Sequence, residues 1–125
     1  MNKAVWILVV LLALGGFVWL VRTPGRTQVG KLDTLATCIK DSGASFYGAF
    51  WCPHCQNQKA LFGSSAKLLP YIECSTPDGN SQLPVCNEAG VTGYPTWKFA
   101  NGTVETGELS LAELSQKTNC PLPAN

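Results

Sequence analysis

Charge is scarce in this chain. Its 125 residues include nine Lys or Arg and eight Asp or Glu, for a formal net charge of +1. A nucleic-acid binder needs a basic excess or patch, so that class is excluded. Histidine occurs once, at His54, and a second C-x-x-C is missing. A structural zinc site takes four nitrogen or sulfur ligands, so no metal is expected. Internal repeats and low-complexity tracts are also missing. Arginine does not occur beyond Arg26. Residues 27–125 carry six Lys against eight acids, whereas residues 1–26 carry Lys3, Arg22 and Arg26 and no acid. The near-neutral total therefore averages a basic leader and a mildly acidic body.

What is plentiful is apolar surface and sulfur. Hydrophobic residues make up 46% of the chain, and six are cysteines. The apolar and aromatic content excludes a fully disordered chain, and the length suits one domain. This many cysteines in so short a chain points to an oxidising compartment.

Ala4 to Val21 reads AVWILVVLLALGGFVWLV, without a charge or a polar side chain other than the two indoles. As a helix at about 1.5 Å per residue this run spans roughly 27 Å, close to the ~30 Å of a bilayer core. Trp6 and Trp19 stand near its ends, as interfacial aromatics do. Residues 1–21 are read as an N-terminal transmembrane anchor, and 22–30 as a linker. The competing reading is a cleaved signal, for which an A-x-A type site is lacking. Either reading exports the body, to the periplasm or another extracytoplasmic space. Positive charges flanking the segment (Lys3 before it; Arg22, Arg26 and Lys31 after it) argue the opposite orientation. The cysteine content is given more weight.

The body, 31–125, alternates helical and strand patterns. Leu32, Leu35, Ala36 and Ile39 have helical spacing up to Gly43. Ala44–Phe50 is an aromatic, apolar run read as a buried strand. A helix from Pro53 through Leu61, with a break at Gly63, continues toward Leu69. Tyr71–Cys74 is a second strand and 75–80 a loop. A short helix from Ser81 or Gln82 to Ala89 follows, then a hairpin, 96–100 and 103–106, around Asn101-Gly102 in a type I′ turn. Ser110 and Glu113 form a capping box for the last helix. The order is α-β-α-β-α-β-β-α.

Chemistry concentrates at Trp51-Cys52-Pro53-His54-Cys55, where a strand runs into a helix. Cys52 is expected at the helix N-cap, its sulfur facing unpaired N–H groups and the positive dipole end. Both effects favour thiolate, so its pKa is expected to fall. Cys55, one turn on, can close a small disulfide with it. His54 adds a donor or a positive charge. Stabilising the thiolate makes the disulfide more oxidising. The bland readings of the pair are a zinc half-site or an inert disulfide.

FYGAFWCPHC, followed by Gly-Tyr-Pro-Thr at 93–96, resembles the thioredoxin superfamily. YGAFWCPHCQNQKALFG, LPYIEC and CNEAGVTGYPTW together are similar to the thioredoxin-like domain found with vitamin K epoxide reductase homologues. The resemblance implies an α/β thioredoxin-like fold, a central mixed four-stranded sheet flanked by helices. It implies that Cys52 is the exposed nucleophile and Cys55 the resolving cysteine, and that Pro53 and His54 are the dipeptide also found in DsbA-type oxidants. Trp51 and Tyr94 then flank the site. Pro95 matches a cis-proline facing the pair, with a turn proline as the bland reading; ordinary packing is the bland reading of Trp51. One departure stands out: many thioredoxins carry a buried acid six residues before the first cysteine, and here that residue is Phe46.

The resemblance also pairs Cys74 with Cys86 as a structural disulfide. Cys38 and Cys120 are then left to each other, although four cysteines allow three pairings. A relay exchanging electrons with Cys52 and Cys55 is the other reading of these cysteines. The function implied is a membrane-anchored thiol–disulfide oxidoreductase that introduces disulfides into exported, cysteine-containing proteins. Its cofactor is the Cys52–Cys55 disulfide alone. A vitamin K epoxide reductase-like membrane partner would reoxidise the pair, with quinone involved only through that partner. The alternatives are an extracytoplasmic reductase or isomerase, and a non-catalytic peptide-binding module.

Overall fold

The computed structural model describes residues 2–21 and 30–124, with side chains from residue 13 to residue 21 left out. The expected linker, 22–30, falls outside the described residues except for Gly30. Helix α1 covers Lys3–Val21. Its described side chains from Val5 to Leu12 are apolar and all exposed. Among the described residues no helix is long and apolar enough to cross a membrane.

The body folds in the order α2 (Asp33–Asp41), β1 (Ser45–Gly48), α3 (Pro53–Ala60), β2 (Tyr71–Glu73), α4 (Pro84–Glu88), β3 (Thr96–Lys98), β4 (Val104–Thr106) and α5 (Leu111–Thr118). One mixed sheet has the strand order β2-β1-β3-β4. Strand β1 runs parallel to β2, with Gly48 opposite Glu73, and antiparallel to β3, with Phe46 opposite Trp97. This is a thioredoxin-like α/β fold.

The core follows from the periodicities. Leu35, Ala36 and Ile39 recur on one face of α2 and are buried. Phe46, on the central strand, stacks on Trp97 of its neighbour with ring centroids 4.6 Å apart. Tyr71 meets Phe46 edge-on at 5.1 Å. Such aromatic pairs add about 0.5–1.5 kcal/mol beyond the area they bury. Ser110 caps α5: its Oγ accepts from Glu113 N at 3.2 Å, and the Glu113 carboxylate accepts from Ser110 N at 2.7 Å.

Three local expectations are corrected. The helix after the C-x-x-C ends at Ala60, and Gly63–Leu68 forms a 3-10 turn instead of a continuation. Gly63, at φ +53°, adopts a left-handed conformation that an α-helix does not contain. The expected helix from Ser81 or Gln82 begins only at Pro84, because Gln82 bridges to Ser75 in extended conformation. The β3–β4 connection is not a type I′ turn. Gly102 is left-handed at φ +86°, but Asn101 is not among the residues of positive φ. Phe99 O accepts from Gly102 N, and Thr103 O accepts from Phe99 N. That is a three-residue loop closed by a bulge at glycine. Asn101 serves it by accepting from Thr103 N at 3.0 Å.

Two disulfides hold the body together. Cys38 joins Cys120 across 82 positions, tying α2 to the segment after α5, and Cys74 joins Cys86 across 12. Loop-closure entropy assigns them about 4.5 and about 3 kcal/mol respectively.

A buried glutamine completes the interior. Gln58 of α3 is fully buried. Its Nε2 donates to Leu109 O at 2.9 Å, and its Oε1 accepts from Leu109 N at 2.7 Å and Trp97 Nε1 at 3.2 Å. One side chain thus joins α3 to β3 and to the approach to α5. Replacing it by leucine keeps the volume but strands three polar groups, each costing about 1–3 kcal/mol. Q58L is expected to lower unfolding free energy by at least about 3 kcal/mol, measured by denaturant titration. A change below 0.5 kcal/mol would contradict this role.

Candidate functional site

The C-terminal end of β1 delivers the chain to Cys52, the N-cap of α3, with Pro53 at the first helical position. Proline fits there because its missing N–H has no partner to lose. The Cys52 sulfur makes no capping hydrogen bond, contrary to the expected sulfur-to-helix contact. It points instead across the site and donates to Tyr94 O at 3.7 Å. The Tyr94–Pro95 peptide is cis, and Pro95 is fully buried. The two motifs separated by about 40 residues therefore meet at one point.

Cys55 lies beneath. It is 1% exposed; Cys52, expected as the exposed member of the pair, is itself only 5% exposed, because its sulfur packs against the Tyr94 carbonyl, and both are thiols. Gly48 on β1 permits this depth. A Cβ at Gly48 would lie 2.8 Å from Tyr71 Cε2 and 2.9 Å from Cys55 Sγ, so no larger residue fits without displacing one of them. Burial is the main cause pushing the Cys55 thiol up to about 12, with the neighbouring Cys52 adding to it; a backbone hydrogen bond with Ala49 and the Lys59 charge pull the other way.

Around the pair lie residues that sequence patterns did not single out. Glu73, at the end of β2, accepts from Phe50 N at 3.1 Å, Ser75 N at 2.9 Å and Tyr71 OH at 2.8 Å. It therefore fixes the approach to Cys52. Burial first, and then the hydrogen bond to Glu73, hold the Tyr71 phenol protonated far above its usual range. Lys59 sits over the Tyr71 ring, 3.3 Å from its centroid. An acid inside an otherwise apolar strand was the one visible signal for Glu73. Phe46, where many thioredoxins carry an acid, stacks in the core instead.

His54 is largely exposed, and its Nδ1 is 2.7 Å from Glu108 Oε1, which also accepts from Asn57 Nδ2 at 3.1 Å. Its hydrogen bond is thus to a carboxylate of the segment that precedes α5. The His54 contact, then Asn57, holds the Glu108 carboxyl below its ordinary range. Trp51 donates its indole N–H to Ser75 Oγ at 2.9 Å and meets Tyr94 edge-on at 6.0 Å. Phe50 and Trp51 are about half exposed beside the reactive pair. Cys74 and Cys86 are fully buried in a small cluster with Val91, away from solvent. Among the described residues, no group of three His, Cys, Asp or Glu side chains is placed to hold a metal ion.

A four-stranded mixed sheet with a vicinal cysteine pair at the N-terminus of its crossover helix, opposite a cis-proline, defines a class. The chain belongs to the thioredoxin family, whose model matches residues 39–118. It is similar to the thiol-disulfide oxidoreductase LTO1 of Arabidopsis thaliana, 45% identical over 107 residues, covering 78% of this chain and 28% of that protein. It is also similar to the probable protein disulfide-isomerase ER-60 of Schistosoma mansoni, 37% identical over 65 residues, or 48% of this chain and 13% of that one. A protein disulfide-isomerase of Arthroderma benhamiae is 35% identical over 77 residues, or 58% and 14%. The chain spans less than a third of the length of these relatives.

The raised Cys55 value has a measurable consequence. Its folded value, about 12, lies above the ordinary thiol value of 9.0. Its contribution to stability is therefore complete below pH 9 and is lost as pH climbs toward 12. The reduced chain is expected to lose up to ~1.4 kcal/mol per pH unit above 9 from this group. C55S should remove that share of the slope between pH 9 and 10.5 in urea unfolding. Equal slopes in the two proteins would refute the assignment.

Proposed function

We propose that this chain is a protein thiol–disulfide oxidoreductase that oxidises cysteine pairs in exported proteins, working through Cys52 and Cys55. The observation that carries the reading is the placement of the pair. Cys52 is at the tip of α3 against Tyr94 O, and Cys55 is buried behind it.

In the proposed cycle a substrate thiolate attacks Cys52 Sγ of the oxidised pair. The Cys52–Cys55 bond breaks, and Cys55 leaves with the electron pair and takes up a proton. The second substrate thiolate then attacks the substrate sulfur of the mixed disulfide and releases Cys52. The substrate gains a disulfide, and the enzyme keeps two electrons as a dithiol. The mixed disulfide has a competing fate, return attack by Cys55, which requires the Cys55 thiolate. With a value near 12 set mainly by burial, that thiolate is scarce at neutral pH. An ordinary substrate thiol, at about 8.5, is ionised to a few per cent there. The same high value makes Cys55 a poor leaving group in the first step, so the net direction is set by whichever partner renews the pair.

The rest of the proposal concerns placement. Helix α1, apolar on all described sides, would anchor the body to a membrane facing the periplasm or an equivalent space, with 22–30 as tether and 31–125 as the catalytic domain. A vitamin K epoxide reductase-like membrane protein would take the electrons and pass them to quinone. Tethering raises the effective concentration of the pair at such a partner. A second reading, a disulfide reductase or isomerase, has support in the two relatives named as disulfide isomerases.

The test uses the full chain in detergent, oxidised, with a reduced unfolded protein as substrate. Stoichiometric disulfide transfer is expected, falling at least 100-fold in C52S. In cells, alkylation trapping should find the pair mostly oxidised and, once reduced, open to a membrane-impermeant thiol reagent from the outer face. A mostly reduced pair, with its reoxidising partner present, favours the reductase reading. Full transfer activity in C52S would exclude Cys52 as the reacting sulfur and overturn the proposed cycle, and no transfer by the wild type would favour a binding module.

A further inference from the structure

Residues 74–86 form a closed loop whose geometry bears on the aromatic flank of the site. The Cys74–Cys86 disulfide shuts its base. Above the base, Ser75 and Gln82 pair as an isolated antiparallel bridge, and Thr76 N donates to Ser81 O at 2.9 Å. Asp78 steadies the tip by accepting from Thr76 Oγ1 and Asn80 N. Gly79, at the tip, is placed so that a Cβ on it would lie 3.5 Å from Trp51 Cδ1.

The two bridge residues each hold one aromatic side chain. Ser75, 4% exposed, accepts the Trp51 indole N–H at 2.9 Å and donates to Thr76 O. Gln82 Oε1 accepts from Tyr94 OH. Gln82 Nε2 is itself fixed by Asn87 Oδ1 at 2.7 Å and Val91 O at 2.9 Å. Trp51 and Tyr94 touch edge-on. Ser75, Trp51, Tyr94 and Gln82 therefore make a closed ring. Two of its members are neighbours of the reacting groups: Trp51 precedes Cys52, and the Tyr94 carbonyl accepts from the Cys52 sulfur.

We propose that the Ser75–Gln82 rung is a positioning device that sets the aromatic wall, Trp51 and Tyr94, against which a cysteine-containing polypeptide lies as it meets Cys52. This rests on the oxidoreductase reading above and deepens it, by assigning substrate orientation to residues that touch neither sulfur. An unheld indole can rotate into the space over Cys52, and an unheld phenol lets the 93–95 segment shift. A polypeptide substrate senses both. A small dithiol, which needs only the sulfur, senses neither to the same degree.

The experiment compares oxidised full-length wild type, S75A, S75T and Q82A with two reductants, an unstructured dithiol peptide and dithiothreitol. S75A and Q82A are each expected to raise the KM for peptide relative to that for dithiothreitol at least threefold, with kcat for peptide changed less than twofold. S75T, which retains an acceptor hydroxyl, should restore the ratio lost in S75A. An independent readout is hydrogen exchange of the Trp51 indole proton by NMR, identified through W51F. It should be protected in wild type and exchange at least tenfold faster in S75A. Unchanged KM ratios in both variants, or equal indole exchange, would overturn the proposal. Wild type that oxidises neither thiol overturns the oxidoreductase reading and the orienting role with it, while the indole exchange still decides whether the ring forms. Mass measurement of intact Cys38–Cys120 and Cys74–Cys86 disulfides confirms that each variant has folded.

Discussion

The close approach of α3 to β1 at Gly48 is the constraint on which the site depends. A glycine there lets the Cys55 sulfur and the Tyr71 ring share the space a side chain would occupy. Cys55 can then be buried, and burial is what keeps its proton in place. Cys52, three residues earlier and at the helix tip, is also largely buried, but its sulfur is turned toward the Tyr94 carbonyl instead of toward β1. The division of labour between two chemically identical side chains thus comes from one helical turn and one missing Cβ. Gln58 sits one turn beyond Cys55 and is bonded to both Trp97 and Leu109. It holds the helix at the depth that Gly48 allows.

Around this contact the body is assembled from short elements, none longer than nine residues after α1. Strands of three or four residues do not hold a sheet on ladder hydrogen bonds alone. The stacked Phe46, Trp97 and Phe99 rings and the two disulfides supply what the strands lack. The disulfides also divide the work spatially. Cys38–Cys120 ties the first helix of the body to its C-terminal end. Cys74–Cys86 closes a loop that lies against the reactive end of the sheet. Neither pair is hydrogen-bonded to Cys52 or Cys55, and Cys74 and Cys86 are shut off from solvent.

Where the sequence was informative, the signal was local. Helical spacing at Leu35, Ala36 and Ile39, the Ser110–Glu113 box and the strand-to-helix C-x-x-C each describe contacts within a few residues, and each appears in the fold. The signals that misled were also local. Asn101-Gly102 suggested a two-residue turn, but the loop takes three residues with only glycine left-handed. The helical pattern past Leu61 did not reveal how Gly63 redirects the chain. What could not be read was the polar network. Glu73 reaches Phe50 over 23 positions, Gln58 reaches Leu109 over 51, and His54 reaches Glu108 over 54. No periodicity encodes such pairings, because they exist only after the strand order β2-β1-β3-β4 has brought the segments together. His54 shows the cost most clearly: its place in the motif suggested a role toward sulfur, and its partner is a carboxylate from another loop.

The polar network in turn explains why the exposed aromatic flank holds a definite shape. Phe50 and Trp51 present about half of their surface to solvent, an arrangement that costs free energy in the isolated domain. Apolar surface of this kind would collapse onto the nearest groove unless held away from it. The Phe50 N–H is held by Glu73 and the Trp51 indole by Ser75, and Gln56 Nε2 donates to Phe50 O at 3.0 Å from the helix side. Each of these bonds anchors the polar part of a residue and leaves its apolar part outward. Amphipathic aromatics placed in this way suit a surface that must meet many unfolded sequences, since contact area is supplied without demanding one partner chemistry. On the proposed function, that is the requirement: substrate polypeptides share a pair of thiols and little else, so the constant parts of recognition have to come from backbone, from apolar contact and from the sulfur itself.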